Sequence, residues 1–329
     1  MIAWRDMHGP HSAPDRGTAI AQRRSTVGGV LAAGAIAATL AISGCGRGGP
    51  AVDPAYRAEV EQWRAKRLAS LTSETGWLTV VGLFWLQPGE NRFGADPGNE
   101  VVLRGSGVPP LAGTFELRPD GAVLAHPRAE AGVTLAGQPV PDRPLRSDAE
   151  GKPDVLSLGS ARFFVIRRGG KAAIRAKDTQ NPARTAFKGI DYFPIDPAYR
   201  VEAAWETYAK PRDVLIPSTQ GPPQKMVVPG VARFELAGKP YALEPYASSP
   251  DDPEFMFVFR DATAGHETYG AGRFLDVERP TGEAHKLVLD FNYAYNPPCA
   301  FTAYATCPLP ERQNELPVRI AAGEKFSGH

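Results

Sequence analysis

The sequence predicts a mainly β protein entered through one amphipathic helix. Three observations carry that expectation. Glycine (34) and proline (32) make up about a fifth of the 329 residues, a density that interrupts helices. Short runs rich in β-branched and aromatic residues recur from Trp77 onward, most of them separated by Gly- or Pro-bearing turns. Clear amphipathic helical spacing belongs to one stretch, after Asp53-Pro54. The composition, 43% hydrophobic and 22% charged, is that of a folded globular chain. Lys and Arg (37) nearly cancel Asp and Glu (36), which argues against a nucleic-acid binder acting through general charge attraction.

Residues 1–44 read as an export signal. Arg5, Arg16, Arg23 and Arg24 stand against Asp6 and Asp15, and Val27 to Ile42 then runs without a charge. A basic region, an apolar core and a small-residue cleavage site in that order make a secretory signal. The apolar run, at 1.5 Å rise per residue, falls short of a ~30 Å hydrocarbon core, so a cleaved leader is expected rather than a permanent span. Ile42-Ser43-Gly44-Cys45 resembles a bacterial lipobox. That resemblance implies acylation of the Cys45 sulfur and cleavage just before it. An ordinary signal peptide with an incidental cysteine is the alternative. Residues 45–52, with Gly46 to Pro50, suit a flexible tether. Arg23-Arg24 also admits twin-arginine export, although Ser25-Thr26-Val27 matches the rest of that motif poorly. The expected address is therefore a bacterial membrane, lipid-anchored and facing the periplasm. Cleavage leaves 33 of the 37 basic and 34 of the 36 acidic residues, so attachment would rest on acyl chains, not on a basic patch.

The body begins with a helix expected over 53–76. Asp53 fits the N-cap and Pro54 the first helical position. Tyr56, Val60, Trp63, Arg67, Leu68 and Leu71 form its inward stripe, and Gly76 is the expected stop. Residues 77–185 read as a β-sandwich. Trp77–Leu86, Asn91–Gly94, Glu100–Leu103, Thr114–Leu117, Ala122–Leu124, Val133–Leu135, Val155–Leu158, Arg162–Ile166 and Ala173–Arg175 are its strands. The segment Gly89-Glu90-Asn91-Arg92-Phe93-Gly94, continuing to Leu103, resembles the opening of the forkhead-associated sandwich. Ala95 stands where phosphopeptide-binding members carry Arg, and Val108–Leu117 lacks the matching Ser or His. The resemblance therefore implies fold and not phosphothreonine binding.

Residues 186–329 form the C-terminal β domain. Expected strands are Tyr199–Tyr208, Val214–Ile216, Lys225–Val228, Val231–Leu236, Tyr241–Tyr246, Phe255–Arg260, Arg273–Val277, Lys286–Phe291 and Val318–Ala321, in an antiparallel barrel or half-barrel. Phe259-Arg260-Asp261-Ala262-Thr263, Tyr269–Asp276, and Asp290–Phe301 continuing to Ala305-Thr306-Cys307-Pro308-Leu309-Pro310 resemble the domain of unknown function 1684 family. That family has no assigned reaction, so the resemblance sharpens the fold and leaves the activity open.

With Cys45 given to lipid, Cys299 and Cys307 remain. In an oxidising compartment a disulfide is the simplest reading, closing a short loop for local shape. Free thiols and a metal site are the alternatives, but His126, His266, His285 and His329 are scattered without ligand spacing, so no metal or other cofactor is implied. Polar residues next to apolar strands suggest a ligand pocket built from Arg175, Tyr269, Arg273, Asp290, Asn292, Tyr295 and Asn296, with Gly270 and Gly272 allowing close backbone approach. Arg175 and Arg273 would hold an anionic group. The competing reading is charges that are solvated or paired across strands. A Cys299–His266 pair oriented by Asp290 would be a hydrolase site, incompatible with a disulfide. The function expected is thus a small-ligand or envelope-component binding module. An unrecognised hydrolase and a purely structural envelope module are the alternatives.

Overall fold

The computed structural model describes residues 52–326, apart from 250 and 282–284, together with residue 328. The export signal, Cys45 and nearly all of the tether lie outside the described residues. Among those described, no helix is long and apolar enough to cross a membrane.

Helix α1 (Pro54–Thr72) forms because its first turn is capped. The Asp53 carboxylate accepts from the amides of Ala55 (2.7 Å) and Tyr56 (3.2 Å). The helix ends before Gly76, because Ser73 caps it and its amide and hydroxyl both donate to the Ser70 carbonyl. Val60, Arg67 and Leu71 face the body, whereas Leu68 is 38% exposed. Of the two neighbours in the expected inward stripe, the charged Arg67 is therefore the buried one and Leu68 is not.

A 3-10 turn at Trp77–Thr79 replaces the start of the expected first strand. Ten strands follow: β1 (Val80–Trp85), β2 (Gly89–Gly94), β3 (Val101–Val102), β4 (Gly113–Leu117), β5 (Val123–Pro127), β6 (Thr134–Leu135), β7 (Gln138–Pro139), β8 (Leu156–Leu158), β9 (Ala161–Arg168) and β10 (Lys171–Asp178). One sheet runs β1-β10-β9-β8-β6-β7 and the other β3-β2-β4-β5, parallel only at β2–β3. Their inner faces share one core. Phe93 and Phe115 of one sheet meet Phe163 of the other, with ring centroids 5.7 and 6.1 Å away. Period-2 alternation along β10 sends Ala172, Ile174 and Ala176 into that core. Ala173 and Arg175 point to the opposite face.

After the short α2 (Pro182–Ala186) come β11 (Arg200–Ile216), β12 (Gln224–Leu236), β13 (Lys239–Leu243), β14 (Glu254–Phe259), β15 (Arg273–Glu278) and β16 (Lys286–Asp290). They do not close into a barrel. The sheet β13-β12-β11-β16 is open at both edges, and β14–β15 is a separate two-stranded ribbon. Only isolated bridges, such as Tyr246–Met256 and Phe274–Tyr295, extend the ribbon. The ladder of β16 stops where the Asp290 carboxylate takes the Asn292 amide (3.1 Å) and starts a 3-10 turn.

Two pairs of expected strands fuse. Tyr199–Tyr208 and Val214–Ile216 are parts of β11, and Lys225–Val228 and Val231–Leu236 are parts of β12. The β11–β12 register shifts between Thr207 and Arg212, beside Pro229, which has no amide to give the ladder. Val318–Ala321 is not a strand. Side chains take both peptide groups of Ile320: its amide donates to Asp261 (2.7 Å) and its carbonyl accepts from Arg273 (3.0 Å).

The continuous apolar run of β14 is buried on both faces. Phe255, Phe257 and Phe259 pack with Trp205, Phe234, Leu289 and Phe291. Met256 and Val258 join a second cluster with Ile216, Val228, Tyr246, Phe274, Tyr295 and Cys307. Trp63 of α1, Trp77 and Cys299 pack against that second cluster.

Candidate functional site

The residues predicted to line one ligand pocket occupy three separate places. Asp290 and Asn292 hold α1. The Tyr56 hydroxyl donates to Asp290 (2.8 Å) and accepts from Asn292 Nδ2 (3.0 Å). Asn292 also exchanges bonds with the Asp196 backbone, at 3.0 and 2.9 Å. Burial, ahead of all other effects, pushes the Asp290 carboxyl above its usual range.

Arg273 and Asn296 hold the strap formed by residues 314–326. Arg273 is fully buried, donates to the carbonyls of Ile320 and Ala322, and lies 3.3 Å from Asp261. Glu324 enters the interior beside it. Its carboxylate accepts from Arg67 Nε (2.9 Å) and from the Asn296 amide (2.7 Å), while Arg67 Nη2 donates to the Asn296 carbonyl (2.7 Å). These Arg67 and Glu324 side chains are 3% and 0% exposed. Gly323 makes the insertion possible: its φ is +77°, and a Cβ there would lie 2.3 Å from the Ala294 carbonyl oxygen. The Arg67 guanidinium stacks on Tyr295, 4.8 Å from the ring centre. The Tyr295 hydroxyl donates to Asp276 (2.7 Å), whose carboxyl burial pushes up to about 7. Gly272, predicted to face a ligand, instead approaches the Phe259 carbonyl, where a Cβ would sit at 2.6 Å.

Tyr269 and Arg175 border the third place, which holds the two cysteines. The expected Cys299–Cys307 bridge is not formed: both are free thiols. The Cys299 amide donates to Cys307 Sγ (3.2 Å), so the sulfur of Cys307 serves as a hydrogen-bond acceptor. Tyr269 donates to the Cys299 carbonyl (3.0 Å). Thr219, in the β11–β12 connection, fixes Cys307. Its hydroxyl accepts from the Cys307 amide (3.1 Å), and its own amide donates to the Cys307 carbonyl (2.9 Å). Cys299 is half-buried, whereas Cys307 is 4% exposed. Hydrogen bonding with Cys307 holds the Cys299 thiol below its ordinary value, and burial pushes Cys307 well above it.

Arg175 reaches this place from β10, across the seam between the sandwich and the C-terminal half. It is 3% exposed, and its guanidinium stacks on Trp77 at 4.9 Å. Among the described residues, the one polar contact of the guanidinium is Thr306 Oγ1, at 3.5 Å. Nε has no partner, and no carboxylate pairs with it among the described residues. The nearby Asp148 is bound to Arg168 (2.7 Å). Burial, and then Arg168, lower the Arg175 guanidinium to about 10.

Other expected chemistry is not assembled. His266 is exposed, and among the described residues no hydrogen bond links it to Cys299 or to Asp290. No group of three potential metal ligands occurs among the described residues. A shallow depression of about 850 Å³ lies elsewhere, on the β13-β12-β11-β16 sheet, lined by Glu202, Ala204, Arg233, Ala242 and Lys286 among others. None of the predicted ligand residues borders it. Sequence reasoning missed the role of Arg67, whose place in an apolar stripe was the available signal: a buried cation requires a partner. Glu324, Thr219 and Thr306 carried no such signal.

The fold and this site define a mainly β chain whose C-terminal half carries a pair of free thiols. Residues 185–325 match the model of the family described as "Protein of unknown function (DUF1684)". The matched segment contains both cysteines, Tyr269, Arg273 and Glu324, whereas α1, Trp77 and Arg175 lie outside it. A solution NMR structure of an uncharacterized protein from Haloarcula marismortui is similar at 31% identity, over 44% of this chain and 80% of that chain, with a TM-score of 0.38. No curated protein matches the chain.

Proposed function

We propose that the protein is an exported, lipid-anchored envelope protein that works through the Cys299–Cys307 dithiol, exchanging disulfides with an envelope component. The asymmetry of the pair carries this reading. Cys299 is half-buried at the seam and Cys307 is buried behind it, with the Cys299 amide on its sulfur. In thiol–disulfide exchange the accessible, more acidic thiol attacks and the buried one resolves. The Cys299 thiolate attacks a partner disulfide, forming a mixed disulfide and releasing one partner thiolate. Cys307 then attacks the Cys299 sulfur, closing the internal bridge and releasing the second. Two electrons pass to the partner, and the two protons lost by the dithiol go to its thiolates. The envelope component bound is thus the partner joined at Cys299.

The export reading supports the same chemistry, because structural and exchangeable disulfides both belong to oxidising compartments. The hydrolase alternative is weaker, because among the described residues no hydrogen bond joins His266 to Cys299. For the sandwich we retain the forkhead-associated likeness as a fold reading, supported by its two-sheet architecture and the Gly89–Gly94 pattern. Redox titration of the mature chain in glutathione buffers, with alkylation and mass readout, tests the proposal. An exchange site should interconvert with a midpoint between about −150 and −270 mV. A bridge that resists reduction below about −300 mV would mark a structural staple and end the proposal.

A further inference from the structure

Resting on the exchange reading, we infer that Arg175 of the sandwich is the counterion of the Cys307 thiolate, so that the N-terminal unit completes the thiol site of the C-terminal unit. Arg175 faces the seam because its β10 neighbours Ile174 and Ala176 are committed to the sandwich core. A buried guanidinium without a carboxylate is unfavourable unless something else compensates it. Here the compensation is partial: the Trp77 ring at 4.9 Å and a long bond to Thr306, the residue next to Cys307. Asp148, the acidic group whose field reaches Arg175, already serves Arg168, which in turn donates to the same Thr306 hydroxyl (3.2 Å). One buried positive charge is therefore left over where one buried sulfur must pass through a negative state.

That negative state arises in the reductive direction. An incoming thiolate attacks Cys299 Sγ of the internal bridge, the S–S bond breaks, and its electron pair leaves on Cys307. The rate of such a step depends on how well the leaving sulfur carries charge. Cys307 sits in the apolar cluster with Ile216, Val228, Tyr246 and Phe274, an environment hostile to a thiolate. The charged and titratable groups around it are Cys299 and Tyr269 from its own unit, and Arg175, Arg168 and Asp148 from the sandwich. Tyr269 and Cys299 are uncharged in this step, and Arg168 is neutralised by Asp148. The Cys299 amide on the sulfur (3.2 Å) is a neutral donor, so Arg175 supplies the one net charge among these groups that favours a negative Cys307.

The test uses the mature full-length chain with Arg175→Met, Arg175→Gln and Arg175→Lys. Cys307 alkylation by iodoacetamide is followed against pH by mass spectrometry in a Cys299→Ser background, and reduction of the internal bridge by dithiothreitol is timed in the Cys299 chain. Arg175→Met is expected to move the Cys307 profile at least one pH unit higher and to slow reduction about tenfold. Arg175→Lys should recover most of both. Arg175→Gln keeps a donor for Thr306 without the charge and should behave as Met does, which covers the case in which the Met variant fails to fold. Profiles and rates for Gln or Met equal to those of the parent overturn the inference. If the glutathione titration shows a permanent staple, the exchange reading falls, yet the alkylation profile of the reduced chain still decides the role of Arg175.

Discussion

The bond between Arg67 and Glu324 ties helix α1 to the strap, and its loss should be costly in a specific pattern. Replacing Glu324 by Ala removes the acceptor of both Arg67 Nε (2.9 Å) and the Asn296 amide (2.7 Å). Arg67, 3% exposed, would then hold an uncompensated charge in the interior. Breaking a buried pair from one side costs about 3–5 kcal/mol, and an orphaned buried amide about 1–3 kcal/mol. The two losses share one carboxylate and do not add, so we expect about 4 kcal/mol. At roughly 2–4 °C per kcal/mol that is a fall in Tm on the order of 10 °C. Arg67→Met, which strands Glu324 instead, should cost a similar amount. The double variant Arg67→Met/Glu324→Leu should return to within about 2 kcal/mol of the parent, because matched apolar groups replace a buried pair at little net cost. Urea unfolding followed by circular dichroism measures all three. Single variants that lose less than about 1 kcal/mol, or a double variant as unstable as the sum, would refute the reasoning.

Two further outcomes are expected. Asp276, at about 7, keeps its proton in the folded chain where the unfolded chain, near 3.8, has lost it, so the wild type loses stability as pH rises from about 4 to 7. Asp276→Asn does not share that loss, and the variant should gain up to about 4 kcal/mol on the parent across this window in parallel urea titrations; pH-independent differences would rule it out. Cys45→Ser should leave a chain that is not acylated and partitions into the soluble envelope fraction, read by intact mass and by fractionation; retention in the membrane at the parent level would contradict the lipid anchor.

Much of the fold was legible because its strands are apolar runs punctuated by Gly and Pro. The unbroken Phe255–Phe259 run even announces burial on both faces. Errors arose where a local signal competed with pairing: the expected strands stop on either side of Pro211 and Pro229, yet a bulge absorbs both prolines within β11 and β12. Val318–Ala321 looked like a strand because its composition does not reveal that Asp261 and Arg273 will bond its peptide groups. The polar residues were legible as unusual and not as to purpose. Asp290 and Asn296 are explained by Tyr56 and Arg67, 234 and 229 positions away, and no local pattern encodes such partners. The cysteine pair was legible as a pair, while its redox state was not.

The pairing of positions 67 and 324 spans 257 residues of chain. An α1 that depends on so remote a carboxylate cannot dock until nearly the whole body has been synthesised and collapsed. Contacts of this range raise the entropic barrier to folding and slow it. On the proposed export route, a nascent chain held open in this way would stay threadable through a secretion pore until it reaches the far side of the membrane.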